Sequence, residues 1–308
     1  KPLIHYGVDE ALEAGMKNMA FITGRGKRAL EDYFDISYEL EHQISGTNKE
    51  HLLIEIRELM ASCTFSFTRQ ESMRGLGNAI HTGKVLVRDE PFGVVLADDL
   101  CINEEGEGVL AQMVKIYEKY RCSIVAVMEV PIEQSKNYGI VTGRAIEDDL
   151  LMVSDMVEKP DPKEAPSNLA VIGRYILTPD IFTILEHTKP GKNGEVQITD
   201  ALKEQAKGGM VLAYKFKGKR FDCGSVEGFV QATNFFYELG KNAKKCRVYP
   251  GEWVALPYEG FLCTPPIGDP KEQKKLRGCA EPKKKDAKVP EALWVHRKQK
   301  EKIIPIMF

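Results

Sequence analysis

Short apolar runs alternate with helix-period segments along the first half of this chain, and that alternation narrows the fold more than any other feature. The runs NMAFITG (18–24), CTFSFTRQ (63–70), FGVVLADD (92–99) and SIVAVMEV (123–130) are bounded by polar or turn residues, as strands buried on both faces are. The segment LIHYGVDEALEAG precedes the first run and is closed by Gly15 in a capping position, and GKRALEDYF, GLGNAIHTGKVLV and GVLAQMVKIYEKY lie between the runs. The pattern predicts an α/β fold with a Rossmann-like, doubly wound parallel sheet.

From about residue 138 the strands follow one another more closely: YGIVTG, LLMVSDMVEK, LAVIGRYIL and VLAYKFKG, with helices near 179–187 and 198–207. This predicts a mixed-sheet extension on the first half. Two regions are expected from this, a domain over 1–245 and a tail over 246–308. The tail holds both tryptophans, Trp253 and Trp294, and the run EPKKKDAK, with 13 Lys and Arg against 8 Asp and Glu. It shows little periodicity, so it is expected to be basic, irregular and protease-sensitive.

At 308 residues with 43% hydrophobic and 29% charged, the chain can bury a full core. Its net charge of −2 argues against non-specific nucleic-acid binding, and there is no apolar run of about 18 residues to span a bilayer. The seven cysteines, Cys63, Cys101, Cys122, Cys223, Cys246, Cys263 and Cys279, form no C-x-x-C pair. They read as reduced thiols in a cytoplasmic protein.

In an open parallel sheet, ligands bind beyond the carboxyl ends of the strands. Asp98 and Asp99 are expected to end the strand FGVVLADD there, where a carboxylate can hold Mg²⁺ against phosphates. A helix cap or turn suits the same aspartates. Asp222, in KRFDCGSVEGF, ends another strand, and two such acids can share one metal. In RQESMRGLGNAI, Gly75 and Gly77 allow close backbone approach to a flat ligand, and Gln70 offers a donor and an acceptor suited to a pyrimidine edge. A tight entry to the helix is the plainer reading of the glycines taken alone. In DMVEKPDPKEAPSNLAVIGRYIL, Pro160 is expected to hold Lys159 extended, with Glu158 pointing to the opposite side. A solvated strand end is the plainer alternative.

In chain order the motifs are Gln70 with Gly75 to Gly77, Leu96 to Asp99, Tyr138–Gly139, Val157 to Pro160, Ala165 to Tyr175, Gly194 to Ala201 and Asp222 to Gly224. Together they resemble the bacterial UTP–glucose-1-phosphate uridylyltransferases, from Lys1 to about Lys245. The resemblance implies the nucleotidyltransferase type of fold and a reversible reaction of UTP with glucose 1-phosphate to UDP-glucose and pyrophosphate. It implies Mg²⁺ on Asp98, with Asp222 as helper, and uracil facing Gln70 and Gly75. Gly139 and Glu158 would then face the glucose hydroxyls, with Asn168 and Glu195 adding sugar contacts, and Lys159 the sugar-linked phosphate. It further implies a homo-oligomer in the intact form. A relative using another sugar phosphate or deoxythymidine triphosphate, or an inactive sugar-nucleotide-binding fragment, stay open as alternatives.

The family pattern also carries an opening strand, a G-x-G-T-R loop and a P-K-E segment ahead of the point matched by Lys1-Pro2-Leu3-Ile4. Their absence predicts a truncated chain. Such a chain is expected to leave backbone unpaired in the middle of its sheet, to fold poorly and to make no UDP-glucose.

Overall fold

The computed structural model describes residues 1–191, 194–245 and 304–307. Helix α1 (Leu3–Glu13) turns its apolar stripe inward, burying Ile4, Val8 and Ala11, and Gly15 beyond its end has φ +83°. Strand β1 (Asn18–Thr23) follows, buried from its second residue on. The helices α2 (Arg28–Tyr33), α3 (Tyr38–Ile44) and α4 (Ile54–Ser62), with a 3₁₀ turn at Glu50–Leu53, lead to β2 (Thr64–Arg69). Then come α5 (Leu76–Thr82), α6 (Lys84–Val87), β3 (Phe92–Val95), β4 (Asp99–Ile102), α7 (Val109–Tyr120) and β5 (Ser123–Glu129). The second half contains β6 (Gly139–Glu147), β7 (Leu150–Glu158), β8 (Leu169–Leu177), α8 (Asp180–His187), α9 (Ile198–Ala206), β9 (Val211–Lys215), β10 (Lys219–Asp222) and α10 (Val226–Lys245). A last strand, β11, spans Ile304–Met307.

Nine strands form one sheet in the order β2-β1-β11-β3-β8-β5-β9-β7-β6. The β2-β1-β11-β3 part is parallel, β8 runs antiparallel to both neighbours, and β6 also pairs with β8 at Ile140 and Ala170, curling the second half. Two apolar cores cover the faces. One gathers Ile80, Phe92, Phe182 and Leu202 under α5, α8 and α9, and the other Val8, Phe21, Leu110 and Met113 under α1 and α7. This is a doubly wound mixed α/β sheet, and β8, buried along all nine residues, is the strand the two halves share.

Two differences from the sequence reading bear on the site. FGVVLADD is not one strand. β3 stops at Val95, Asp98 sits in a turn, and Asp99 opens β4, which pairs antiparallel with β10. Secondly, the middle of the sheet is not open. β11 lies parallel between β1 and β3, with Ala20 opposite Ile306 on one side and Val94 opposite Ile306 on the other. Residues 304–307 are thus a strand, against the expectation of irregular structure over 246–308, and the expected unpaired backbone beside β1 and β3 is paired there. The rest of that tail, with Cys246, Cys263, Cys279, Trp253 and Trp294, lies outside the described residues. Among the described residues no helix is long and apolar enough to cross a membrane.

Candidate active site

The β4–β10 ribbon brings two acids together beyond the end of β3. Asp99 and Asp222 are register partners, and the Cys223 N–H donates to the Asp98 carbonyl at 2.7 Å, fastening the Asp98 turn to the end of β10. Asp98 Oδ2 and Asp222 Oδ1 each lie 3.2 Å from the point where a Cβ on Gly224 would stand. Their carboxylates therefore converge over one glycine. Partial desolvation, with Asp99 and Asp222 nearby, raises the Asp98 carboxyl above its ordinary range, as expected for an acid among acids.

Asp99 has a different place from Asp98. It is buried and fully engaged: Oδ2 accepts from Gly173 N at 2.7 Å and Oδ1 from Arg220 Nε at 2.7 Å, while its carbonyl accepts from Arg174 Nη2 at 2.7 Å. A Cβ on Gly173 would lie 2.7 Å from Asp99 Oδ2, so this approach needs a glycine. Arg174, 1% exposed, also donates from Nε and Nη2 to Glu10 Oε2 at 3.0 and 2.8 Å, joining α1 to β8. Of the two neighbouring aspartates, Asp99 builds the turn and Asp98 faces outward.

Arg220 links this acid pair to a second group. Its Nη1 donates to the Tyr138 hydroxyl at 3.0 Å, and the Tyr138 carbonyl accepts from Lys159 N at 2.9 Å. Gly139 and Glu158 are register partners at the joined ends of β6 and β7. Glu158 Oε2 accepts from Thr199 Oγ1 at 2.9 Å and lies 3.3 Å from where a Gly139 side chain would begin, a place Thr199 Cγ2 crowds at 2.5 Å. Asn168 is exposed just ahead of β8, its carbonyl accepting from Val130 N at 3.0 Å.

Lys159 corrects the sequence reading. It is not extended but has φ +47°, a left-handed conformation that costs a non-glycine residue energy. Pro160 disfavours the right-handed helical region, while the bond from Lys159 N to Tyr138 keeps the residue on the ladder, and the chain leaves the strand by turning the other way. Nor do the two charges point apart, since Lys159 Nζ is 3.7 Å from Glu158 Oε1. Strain of this kind collects at functional positions.

Gln70 follows β2, with its N–H bonded to Thr23 O at 2.9 Å and its Nε2 donating to Asn78 Oδ1 at 2.7 Å. Gly75, at φ +87°, caps α5, and a Cβ there would lie 2.9 Å from both Glu195 Cβ and Val196 O. Gly77 N donates to Val196 O at 2.9 Å. The close approach these glycines permit is thus to the Glu195–Val196 backbone. Glu195 Oε2 accepts from Gln197 Nε2 at 2.9 Å, and Glu195 stands against Gly75. Its segment runs on to Thr199, so residues 195–199 connect the glycine turn to Glu158. Beside Gln70, at the ends of β1 and β2, a cavity of about 340 Å³ is lined by Thr23, Lys27, Arg28, Glu31 and Arg69 among others.

Arg220 and Thr199 were not among the expected site residues. Arg220 had a signal, since it lies two residues before Asp222 on one strand and so shares its face. Thr199 had none beyond membership of its motif.

The Nucleotidyl transferase family model matches residues 1–238, a span that holds the acid pair, the glycine turn and every strand of the fold but β11. A UTP–glucose-1-phosphate uridylyltransferase of Pseudomonas aeruginosa is 66% identical over 238 residues, covering 77% of this chain and 85% of that protein. A crystal structure of UDP-glucose pyrophosphorylase complexed with UDP-glucose superposes with TM-score 0.72 at 57% identity, covering 77% of this chain and 87% of that one. A UTP-bound UGPase from Acinetobacter baumannii gives TM-score 0.71 at 33% identity, covering 77% and 82%. The chain belongs to the UTP–glucose-1-phosphate uridylyltransferase family.

Proposed function

We propose that this chain transfers the uridylyl group of UTP to glucose 1-phosphate, giving UDP-glucose and pyrophosphate, reversibly. A phosphate oxygen of the sugar phosphate attacks the α-phosphorus, the new P–O bond forms, and the bond to the β-phosphate breaks in line with pyrophosphate leaving. The observation that carries this reading is the tie from Asp99 through Arg220 to Tyr138, which fixes the acid pair and the Gly139–Glu158–Lys159 group on one frame. Phosphoryl chemistry of this kind depends on positioning and charge neutralisation, and a shared frame supplies the first.

Asp98 and Asp222 suit a hard divalent cation, since they offer converging carboxylate oxygens with no sulfur or imidazole donor in the pair. Mg²⁺ bound there supplies positive charge beside the phosphates. Glu158, oriented by Thr199, accepts from sugar hydroxyls, and Asn168 at the head of β8 adds a donor. Lys159, half-exposed, directs its ammonium to the sugar-linked phosphate. Gln70 presents its amide to the uracil edge, with Gly75 alongside. Gly77 and Glu195 keep that turn in place rather than touching substrate. The cations Lys27, Arg28 and Arg69 make the edge attractive to an incoming triphosphate.

The four described cysteines are free thiols, in accord with a reducing cytoplasm. The intact form is read as a homo-oligomer on the family resemblance alone. The test is to incubate the purified chain with UDP-glucose, pyrophosphate and Mg²⁺ and to follow UTP, with deoxythymidine diphosphate glucose as the parallel substrate. UTP formation supports the reading. Faster turnover of the deoxythymidine substrate reassigns the base, and UDP-glucose binding without UTP reduces the chain to a sugar-nucleotide-binding protein.

A further inference from the structure

We propose that His5, Asp9 and Glu55 form a site for a divalent transition ion of the zinc type, separate from the acid pair at Asp98. The residues come from α1 and α4, and neither helix carries a residue assigned to the substrates. His5 and Asp9 are four apart on α1 and so share one face of it, and Glu55 reaches the same point from α4. The ligand atoms of the three side chains all lie within 4.8 Å of one another.

The histidine makes this more than a charged cluster. His5 is 2% exposed, its Nδ1 is 2.7 Å from the Tyr33 hydroxyl, and its Nε2 is buried without a hydrogen-bond partner. That nitrogen faces the two carboxylates, at 3.4 Å from Asp9 Oδ1 and 3.6 Å from Glu55 Oε1. Donor atoms held about 2.0–2.2 Å from a tetrahedral metal stand about 3.3–3.6 Å apart, so these separations need little adjustment. An oxygen partner on the far ring nitrogen, here Tyr33, is the usual support of a metal-binding histidine.

The cluster already attracts a cation. Lys1 Nζ lies 2.6 Å from both Asp9 Oδ2 and Glu55 Oε1. Lys1 is thus a tethered cation that an incoming ion displaces. One imidazole with two carboxylates selects Zn²⁺ or Co²⁺ over Mg²⁺ and Ca²⁺, which take all-oxygen sites. Glu55 is 65% exposed, giving an entry path, and a bound ion would pin α4 to α1.

The test titrates Zn²⁺ into the chelator-treated full chain by calorimetry, with excess Mg²⁺ present to cover the other acid pair, and records the visible spectrum with Co²⁺. One equivalent per chain is expected, with affinity reduced at least tenfold in Glu55→Gln and in His5→Gln and increased in Lys1→Gln. Glu55 is exposed, so its variant keeps the test decisive if His5→Gln does not fold. Binding unchanged by Glu55→Gln, a thiolate charge-transfer band with Co²⁺, unchanged or weaker affinity in Lys1→Gln, or no binding at all overturns the proposal.

Discussion

Arg220 holds Asp99 in a buried ion pair, its Nε donating to Asp99 Oδ1 at 2.7 Å. The same guanidinium reaches Tyr138, so one side chain joins the acid turn to the β6–β7 hairpin. Arg220→Met leaves Asp99 buried and uncompensated, which costs about 3–5 kcal/mol. Tyr138→Phe removes one acceptor from the guanidinium and costs about 1.5–3 kcal/mol. Urea denaturation of the two variants checks the ranking. Equal losses would mean that Gly173 N alone satisfies Asp99.

Asp98→Asn is expected to lower turnover at least about a hundredfold, because the amide keeps the shape and loses the charge that holds the cation. It should also stabilise the chain at neutral pH. The Asp98 carboxyl titrates above its unfolded value, so the folded protein keeps that proton to higher pH than the unfolded chain does. Ionised Asp98 therefore detracts from stability above its raised pKa, and the penalty lifts as pH falls through that pKa towards the unfolded value. A melting-point gain for Asp98→Asn that is largest at pH 7 and shrinks on acidification is the expected result. A loss at pH 7 contradicts it.

Lys159 combines strain with charge, and two substitutions separate them. A non-glycine residue in the left-handed region costs roughly 1–2 kcal/mol, so Lys159→Gly should raise unfolding free energy by up to about 1 kcal/mol after glycine's added chain entropy. Lys159→Ala keeps the strain and should leave stability unchanged. Both lose the ammonium, so both should raise the KM for glucose 1-phosphate by about 10–100-fold, the equivalent of roughly 1.5–3 kcal/mol, with little change for UTP. Equal effects on the two substrates would place the ammonium elsewhere.

The parallel half of the sheet was legible because Phe21 and Val94 belong to apolar runs that hardly any other element accommodates. Acids at the strand end were legible too, but not their division of labour. Asp98 and Asp99 look alike in sequence, and only the bonds from Gly173 and Arg220 separate the structural from the free carboxylate. Glu10 and Arg174 escaped notice for a similar reason: a buried ion pair between residues 164 positions apart leaves no local pattern. The Lys159 conformation was misread because a proline rule excludes one region of backbone space without choosing among the others. β11 was hidden by its neighbours, since four apolar letters after a basic, unpatterned stretch carry too little periodicity to register.

That last strand gives the sharpest prediction. Ile304–Met307 is paired on both sides, so without it β1 and β3 would face one another across a gap with their backbone groups unsatisfied. Several such groups at roughly 1–3 kcal/mol each approach a typical total stability of about 5–15 kcal/mol. Deleting residues 304–308 is therefore expected to yield insoluble or molten protein, contrary to the tolerance its composition suggests. Backbone chemistry can be tested more finely. Pro305 lacks an N–H and is a poor residue for a doubly paired strand, so Pro305→Val restores a donor and should stabilise by about 0.5–1.5 kcal/mol. Ile306→Pro removes a further donor and should cost about 3 kcal/mol or more. Denaturation midpoints, together with amide exchange at Ala20 and Val94, read both changes. If all three variants melt like the parent and those amides stay protected, the slot between β1 and β3 does not depend on residues 304–307.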